Sequence, residues 1–145
     1  MWAKVLSEND VHLMPLNLPV SVNMRQPPVT VSPLDTVSIL MFKMINENIG
    51  AILVIDEGKA VGIITEKDVL KRVIIKGKNA YETKAEDVMS KPLISIEADS
   101  TIKEALKLMR KKNIRRLAVT KNRSLVGLVT EKRLLEAIVR WGYLM

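Results

Sequence analysis

Apolar and polar positions from Val29 to Val73 spell out five elements in succession. Val29-Thr30-Val31 follows a pair of prolines and reads as a short extended piece. Val37, Leu40, Met41, Met44 and Ile45 recur at three- and four-residue spacing, which predicts a helix with Asp35 as its N-cap. Ala51 to Ile55 is an unbroken apolar run, the pattern of a strand covered on both faces. Asp56-Glu57-Gly58-Lys59 supplies turn residues, and Val61-Gly62-Ile63-Ile64 supplies the return strand of a hairpin. Thr65 then begins a second helix through Val69, Leu70 and Val73.

The same order returns 65 residues later without a gap. Ile94-Ser95-Ile96 is the extended piece, and Ile102, Ala105, Leu106 and Met109 mark the helix, with Ser100 as its expected N-cap. Leu117 to Thr120, the turn Lys121-Asn122-Arg123-Ser124, and Val126 to Val129 form the second hairpin, and a helix runs from Thr130 to about Trp141. Met24 falls on Met89, Pro27 on Pro92, Asn48-Ile49 on Asn113-Ile114, and Thr65-Glu66-Lys67 on Thr130-Glu131-Lys132. Two copies are too few for a solenoid, and one unit of roughly 55 residues is marginal alone. The expected fold class is α/β (mixed α+β): two β-α-β-β-α repeats packed as a pseudo-twofold pair. The expected boundaries are an N-terminal extension over 1–17, repeat one over 18–76, a polar linker over 77–84 and repeat two over 85–145.

The two copies differ at one position that matters chemically. GIITEKDVL carries Asp68 where GLVTEKRLL carries Arg133. Thr65-x-x-Asp68 at a strand-to-helix junction is a capping box in the broad sense, which stabilises a helix by about 1 kcal/mol and needs no ligand. Thr130-x-x-Arg133 keeps the cap but puts a cation in the first turn, against the helix dipole. Arg133 is either a tolerated surface residue, pairing with Glu136, or the partner of an anion at the helix N-terminus. A carboxylate at the Asp68 position suits two vicinal hydroxyls, as in a ribose.

Composition narrows the field. The chain has 145 residues, 48% hydrophobic and 27% charged, and a net charge of +7. With no cysteine, thiol catalysis, disulfides and thiolate zinc sites are excluded, and the single His12 cannot build a His-rich metal site. Lys4, Glu8 and Asp10 interrupt any signal-peptide core, and Val11 to Met24 is broken by Pro15 and Pro19 and too short to span a bilayer, so the expected location is cytoplasmic with no membrane contact. No Gly-rich phosphate loop and no nucleophile beside a base is present, so an enzyme is not expected. The basic run Arg110 to Arg116 reads first as a solvated helix end, second as a phosphate contact through Arg116, and third as a nucleic-acid surface without stacking aromatics. Trp2 and the apolar end Trp141, Tyr143, Leu144, Met145 suit either a partner subunit or a fold-back onto the core.

Both copies resemble the cystathionine beta-synthase (CBS) domain. The resemblance rests on Met-x-x-Pro (Met24/Pro27, Met89/Pro92), the amphipathic helix, the apolar strand after Asn-Ile, and the closing Gly-x-x-Thr-x-x-Asp, over about residues 20 to 140. It implies a stand-alone tandem pair with two clefts for an adenosine-containing ligand such as AMP, ADP, ATP or S-adenosylmethionine. It also implies no required cofactor, a regulatory role, a homodimer and a possible protein partner. Carried over by position, Asp68 is the ribose-binding acid of one cleft, with Thr65 and Ile64 beside it and Ile94, Ile114 and Arg116 contributed from the other copy. The second cleft would use Thr130, Val29, Ile49 and Ala51, and Arg133 departs from the family pattern there, so one competent site is expected. The rival readings are a nucleic-acid-binding protein and a structural dimerisation module without a ligand.

Overall fold

Hydrogen bonding closes each repeat into its own three-stranded sheet. The computed structural model describes residues 15–91 and 93–144, together with the side chains up to Arg140. Trp2, His12, Pro92, Met145 and the side chains of Trp141, Tyr143 and Leu144 lie outside the described residues.

In the first repeat the elements are β1 (Thr30–Val31), α1 (Val37–Glu47), β2 (Ala51–Asp56), β3 (Lys59–Thr65) and α2 (Glu66–Val69). A wide turn, Leu70–Ile74, continues α2, with Ile75 N–H donating to the Leu70 carbonyl five residues back at 2.9 Å. After α3 (Ala85–Val88), the second repeat supplies β4 (Ser95–Glu97), α4 (Ile102–Lys112), β5 (Arg116–Lys121), β6 (Ser124–Thr130) and α5 (Glu131–Leu144). Both sheets have the same topology: the first strand parallel to the second, the second antiparallel to the third. Both hairpins shift register at matching places, between Val54 and Ile55 and between Val119 and Thr120. The mixed α/β class expected from the pattern is the observed one.

The sequence explains several of these endings. α1 and α4 both stop at an asparagine in the left-handed region, Asn48 (φ 51°) and Asn113 (φ 54°), a conformation in which asparagine is several-fold enriched. The N-caps are Thr36 and Thr101, one residue after the expected Asp35 and Ser100. Asp35 is occupied locally, its Oδ2 accepting from Ser32 N–H at 2.8 Å. Thr101 Oγ1 accepts from Glu104 N–H at 3.1 Å. The first amides of α1 donate instead to main-chain carbonyls, Val37 to Thr83 at 2.8 Å and Ser38 to Ala80 at 2.9 Å. In α4, Ile102 likewise donates to the Leu18 carbonyl at 2.9 Å. Part of the polar stretch 77–84 therefore has a structural duty, satisfying helix amides that would otherwise be orphaned.

The chain divides into two compact units, one of Pro27–Ile94 and one of the residues up to Gln26 with Ser95 onward. The first-repeat unit thus includes the lead-in of the second repeat, and the second-repeat unit includes the lead-in of the first. In the first-repeat unit, Ala85 and Val88 of α3 join the buried cluster of Val37, Leu40, Ile52, Val54, Ile64 and Val73. Ser90 forms a bridge with Ile63 beside β3, and Met89 lies over Gly62. The second-repeat unit repeats this: Val20 is fully buried, Arg25 bridges Leu128, and Met24 lies over Gly127. A Cβ on Gly62 would stand 2.6 Å from the Met89 sulfur, and one on Gly127 would stand 2.6 Å from the Met24 sulfur and 2.8 Å from the Arg25 carbonyl oxygen. Only glycine allows the lead-in to approach the hairpin this closely.

Candidate functional site

The junction from β3 into α2 builds a polar cluster around one carboxylate. Thr65 is the N-cap, and its hydroxyl accepts from Asp68 N–H at 3.3 Å. Asp68 answers through one oxygen only: Oδ2 accepts from Thr65 N–H at 2.9 Å and from Thr65 Oγ1 at 3.1 Å. The capping box is therefore formed, and it leaves the second oxygen to other partners. Oδ1 accepts from Ser90 Oγ at 3.3 Å and lies 3.8 Å from Arg72 Nη2. Arg72 is spent mostly on main chain, its Nη1 donating to the carbonyls of Val88 at 2.7 Å and Met89 at 3.0 Å. Asp68 is 16% exposed. Oδ1 is thus held by one long hydrogen bond and a loose ion pair, with spare acceptor capacity.

The corresponding junction from β6 into α5 keeps only the cap. Arg133 N–H donates to Thr130 Oγ1 at 3.2 Å, and the Arg133 side chain is exposed. Arg25 stands where Ser90 stands in the other unit, and Ala137 stands where Arg72 stands. An acid, a hydroxyl and a tethering arginine are replaced by two arginines and an alanine. Beside this junction, Arg116 pairs with Thr130 across β5 and β6. Its Nε is buried and makes no hydrogen bond. Arg115, Arg116, Lys132 and Arg140 line one groove with Thr130, and Glu131 and Glu136 share it. Arg140 lies 3.9 Å from Glu136.

The remaining site residues named from the sequence divide between the units. Val29, Ile49, Ala51, Ile64 and Ile94 belong with Thr65 and Asp68 in the first-repeat unit, and Ile114 belongs with Arg116, Thr130 and Arg133 in the second. Ile64 is fully buried in the core cluster and Ala51 is buried, whereas Val29, Ile49, Ile94 and Ile114 are half-buried. Sequence reasoning did not pick out Arg72 or Ser90. Arg72 sits at i+4 from Asp68, a spacing that signals an ion pair on a helix. Ser90 carried no such signal, because it reaches Asp68 across 22 residues only through tertiary structure. Among the described residues no group of three or more His, Cys, Asp or Glu could hold a metal ion, and no helix is long and apolar enough to cross a membrane.

The chain is similar to known proteins in sequence and in fold. The chain is 40% identical over 114 residues to an uncharacterized protein of Methanopyrus kandleri, covering 77% of this chain and 58% of that protein. Across this and two further curated relatives, from Bacillus subtilis and Arabidopsis thaliana, the chain spans between 53% and 66% of the relative's length. The crystal structure of an uncharacterized conserved protein from Pyrococcus horikoshii superposes with a TM-score of 0.75 at 29% identity, covering 84% of this chain and 92% of that one. That of a CBS-domain containing protein from Agrobacterium tumefaciens superposes at 0.69 and 26% identity, covering 76% and 88%. The family model for the CBS domain matches twice, over residues 20–75 and 85–140. The chain belongs to the CBS domain family and carries two CBS domains in tandem.

Proposed function

We propose that this tandem CBS chain is a cytoplasmic regulatory module, not an enzyme, that binds an adenosine-containing ligand through the Asp68 junction. One observation carries the reading: the capping box uses one oxygen of the partly exposed Asp68 side chain and leaves Oδ1 weakly engaged. A ribose offers two adjacent hydroxyls, and donation from them to Oδ1 displaces a 3.3 Å hydrogen bond from Ser90 at small cost. Arg133 cannot accept from hydroxyls, so the second junction does not hold a ribose in this way. Ligand acts by population shift, favouring whichever arrangement of the chain binds it better.

The test is thermal shift against AMP, ADP, ATP and S-adenosylmethionine on wild type and Asp68→Asn. Asparagine keeps one carbonyl oxygen for the cap and turns the other acceptor into a donor. A ligand at a hundred times its Kd stabilises by about 2.7 kcal/mol. Stabilisation of wild type and not of Asp68→Asn supports the reading. No shift with any ligand, or an equal shift in both proteins, overturns it.

A further inference from the structure

An ionised carboxylate offers about four lone-pair positions to hydrogen-bond donors. At Asp68 three donors already occupy such positions. Oδ2 accepts from Thr65 N–H at 2.9 Å and from Thr65 Oγ1 at 3.1 Å, and Oδ1 accepts from Ser90 Oγ at 3.3 Å. A single position on Oδ1 is left, with Arg72 Nη2 loosely beside it at 3.8 Å. Two adjacent ribose hydroxyls need two positions, so one of the present donors has to yield to them. Both Thr65 bonds belong to the capping box that starts α2. Ser90 reaches Asp68 from 22 residues away, through the longest of the three bonds. Ser90 is therefore the donor that yields.

The Ser90 hydroxyl is not needed to place its own segment. Ser90 N–H donates to the Ile63 carbonyl at 2.8 Å, and Ile63 N–H donates to the Ser90 carbonyl at 3.1 Å. Arg72 holds the carbonyls of the two preceding residues, Val88 and Met89, and Met89 packs over Gly62. The second repeat keeps the same pair of main-chain bonds, between Arg25 and Leu128 at 2.8 and 3.2 Å, with an arginine in place of the serine. The lead-in thus docks on its hairpin without a hydroxyl, and the hydroxyl stands in the repeat that has the acid.

We infer that Ser90 is a built-in competitor of the ligand, its hydroxyl holding a position on Asp68 that one of the two ribose hydroxyls has to take. The inference rests on the ribose reading of Asp68 and adds what regulates that contact. Ser90 raises the ligand concentration at which the module responds. It also narrows the preference for ribose over deoxyribose. A sugar with a single hydroxyl fits the position already open on Oδ1 and gains nothing when Ser90 is removed. Arg72 does not play this part, because its Nη1 is committed to two main-chain carbonyls and its Nη2 stands beyond hydrogen-bond reach of Oδ1. Ser90 is half-buried, so its displaced hydroxyl turns to water and is not left without a partner.

Calorimetric titration of AMP, ADP, ATP and S-adenosylmethionine into the full chain reads this directly, on wild type, Ser90→Ala and Ser90→Thr, each checked for folding by circular dichroism. The compound that binds wild type is expected to bind Ser90→Ala about three- to tenfold more tightly, the worth of one hydrogen bond. Ser90→Thr keeps the hydroxyl and is expected to restore the wild-type affinity. For a nucleotide, the 2′-deoxy counterpart is expected to bind wild type and Ser90→Ala within about twofold of each other. A serine with a merely structural role gives the opposite sign, since its loss weakens binding. Unchanged or weaker binding by Ser90→Ala, or a 2′-deoxy form that gains as much as the ribose form, overturns the inference, while the ribose reading is decided separately by Asp68→Asn. Binding of none of the four compounds to either wild type or Ser90→Ala overturns both.

Discussion

The starts of the two helices that follow the hairpins, at Thr65 and at Thr130, have one backbone and opposite chemistry. Each has a threonine cap reaching the amide three residues on, at 3.3 and 3.2 Å. Only at Thr65 does a carboxylate return the bond and go on to gather Ser90 and Arg72. At Thr130 the matching residue is a cation exposed to water. The difference teaches that the cap alone is enough for the fold, since α5 starts as well without the acid. The additional polar contacts of Asp68 are therefore what a function has to draw on.

The largest effect expected from testing this comparison lies under the lead-ins. Gly127→Ala drives a Cβ into the Arg25 carbonyl oxygen and the Met24 side chain, and is expected to destabilise by about 3 kcal/mol. Gly62→Ala meets only the flexible Met89 side chain and should cost about half as much. Equal costs in urea denaturation would mean that the backbone contact does not distinguish the repeats.

Next come the helix starts themselves. Asp68→Ala removes the returning cap and the anchor of Ser90 and Arg72, an expected loss of about 1–2 kcal/mol. Arg133→Ala should stay within about 0.5 kcal/mol of wild type. A smaller effect of the opposite sign is expected for Arg133→Asp, which completes the box and favours the helix dipole by about 0.5–1 kcal/mol. Thermal denaturation in low salt resolves it, and destabilisation by this aspartate would show that the second junction needs its cation. The smallest effect concerns the hairpin turns. Arg123 sits at φ 67° where the first repeat has Gly58 at φ 79°. Arg123→Gly should stabilise by about 0.5 kcal/mol, the relief of left-handed strain set against the entropy of glycine. No change in the melting midpoint would mean that the turn already accommodates arginine.

Much of the fold was legible because local chemistry and the repeat agreed. Helical spacing gave α1 and α4, the unbroken apolar run Ala51 to Ile55 gave β2, and its counterpart Leu117 to Thr120 gave β5, whereas the left-handed ends at Asn48 and Asn113 were not picked out. The N-caps were misplaced by one residue because Asp35 and Ser100 are as good cappers as the threonines after them, and only the path of the chain decides which sits at the last extended residue. The wide turn at Leu70–Ile74 had no signal, since its apolar spacing is that of an ordinary helix.

By itself the sequence determined the doubled β-α-β-β-α plan, the family and the acid-for-arginine exchange between the two junctions, since each is written in periodicity or in residues aligned at one offset. Only the tertiary structure decided which hairpin each methionine lead-in covers, and that Ser90 and Arg72 share Asp68. The physical reason is that Met24 and Met89 suit Gly62 and Gly127 equally well as local motifs. The choice between them, like every contact between residues far apart in the chain, is made by which segments can be packed together at once.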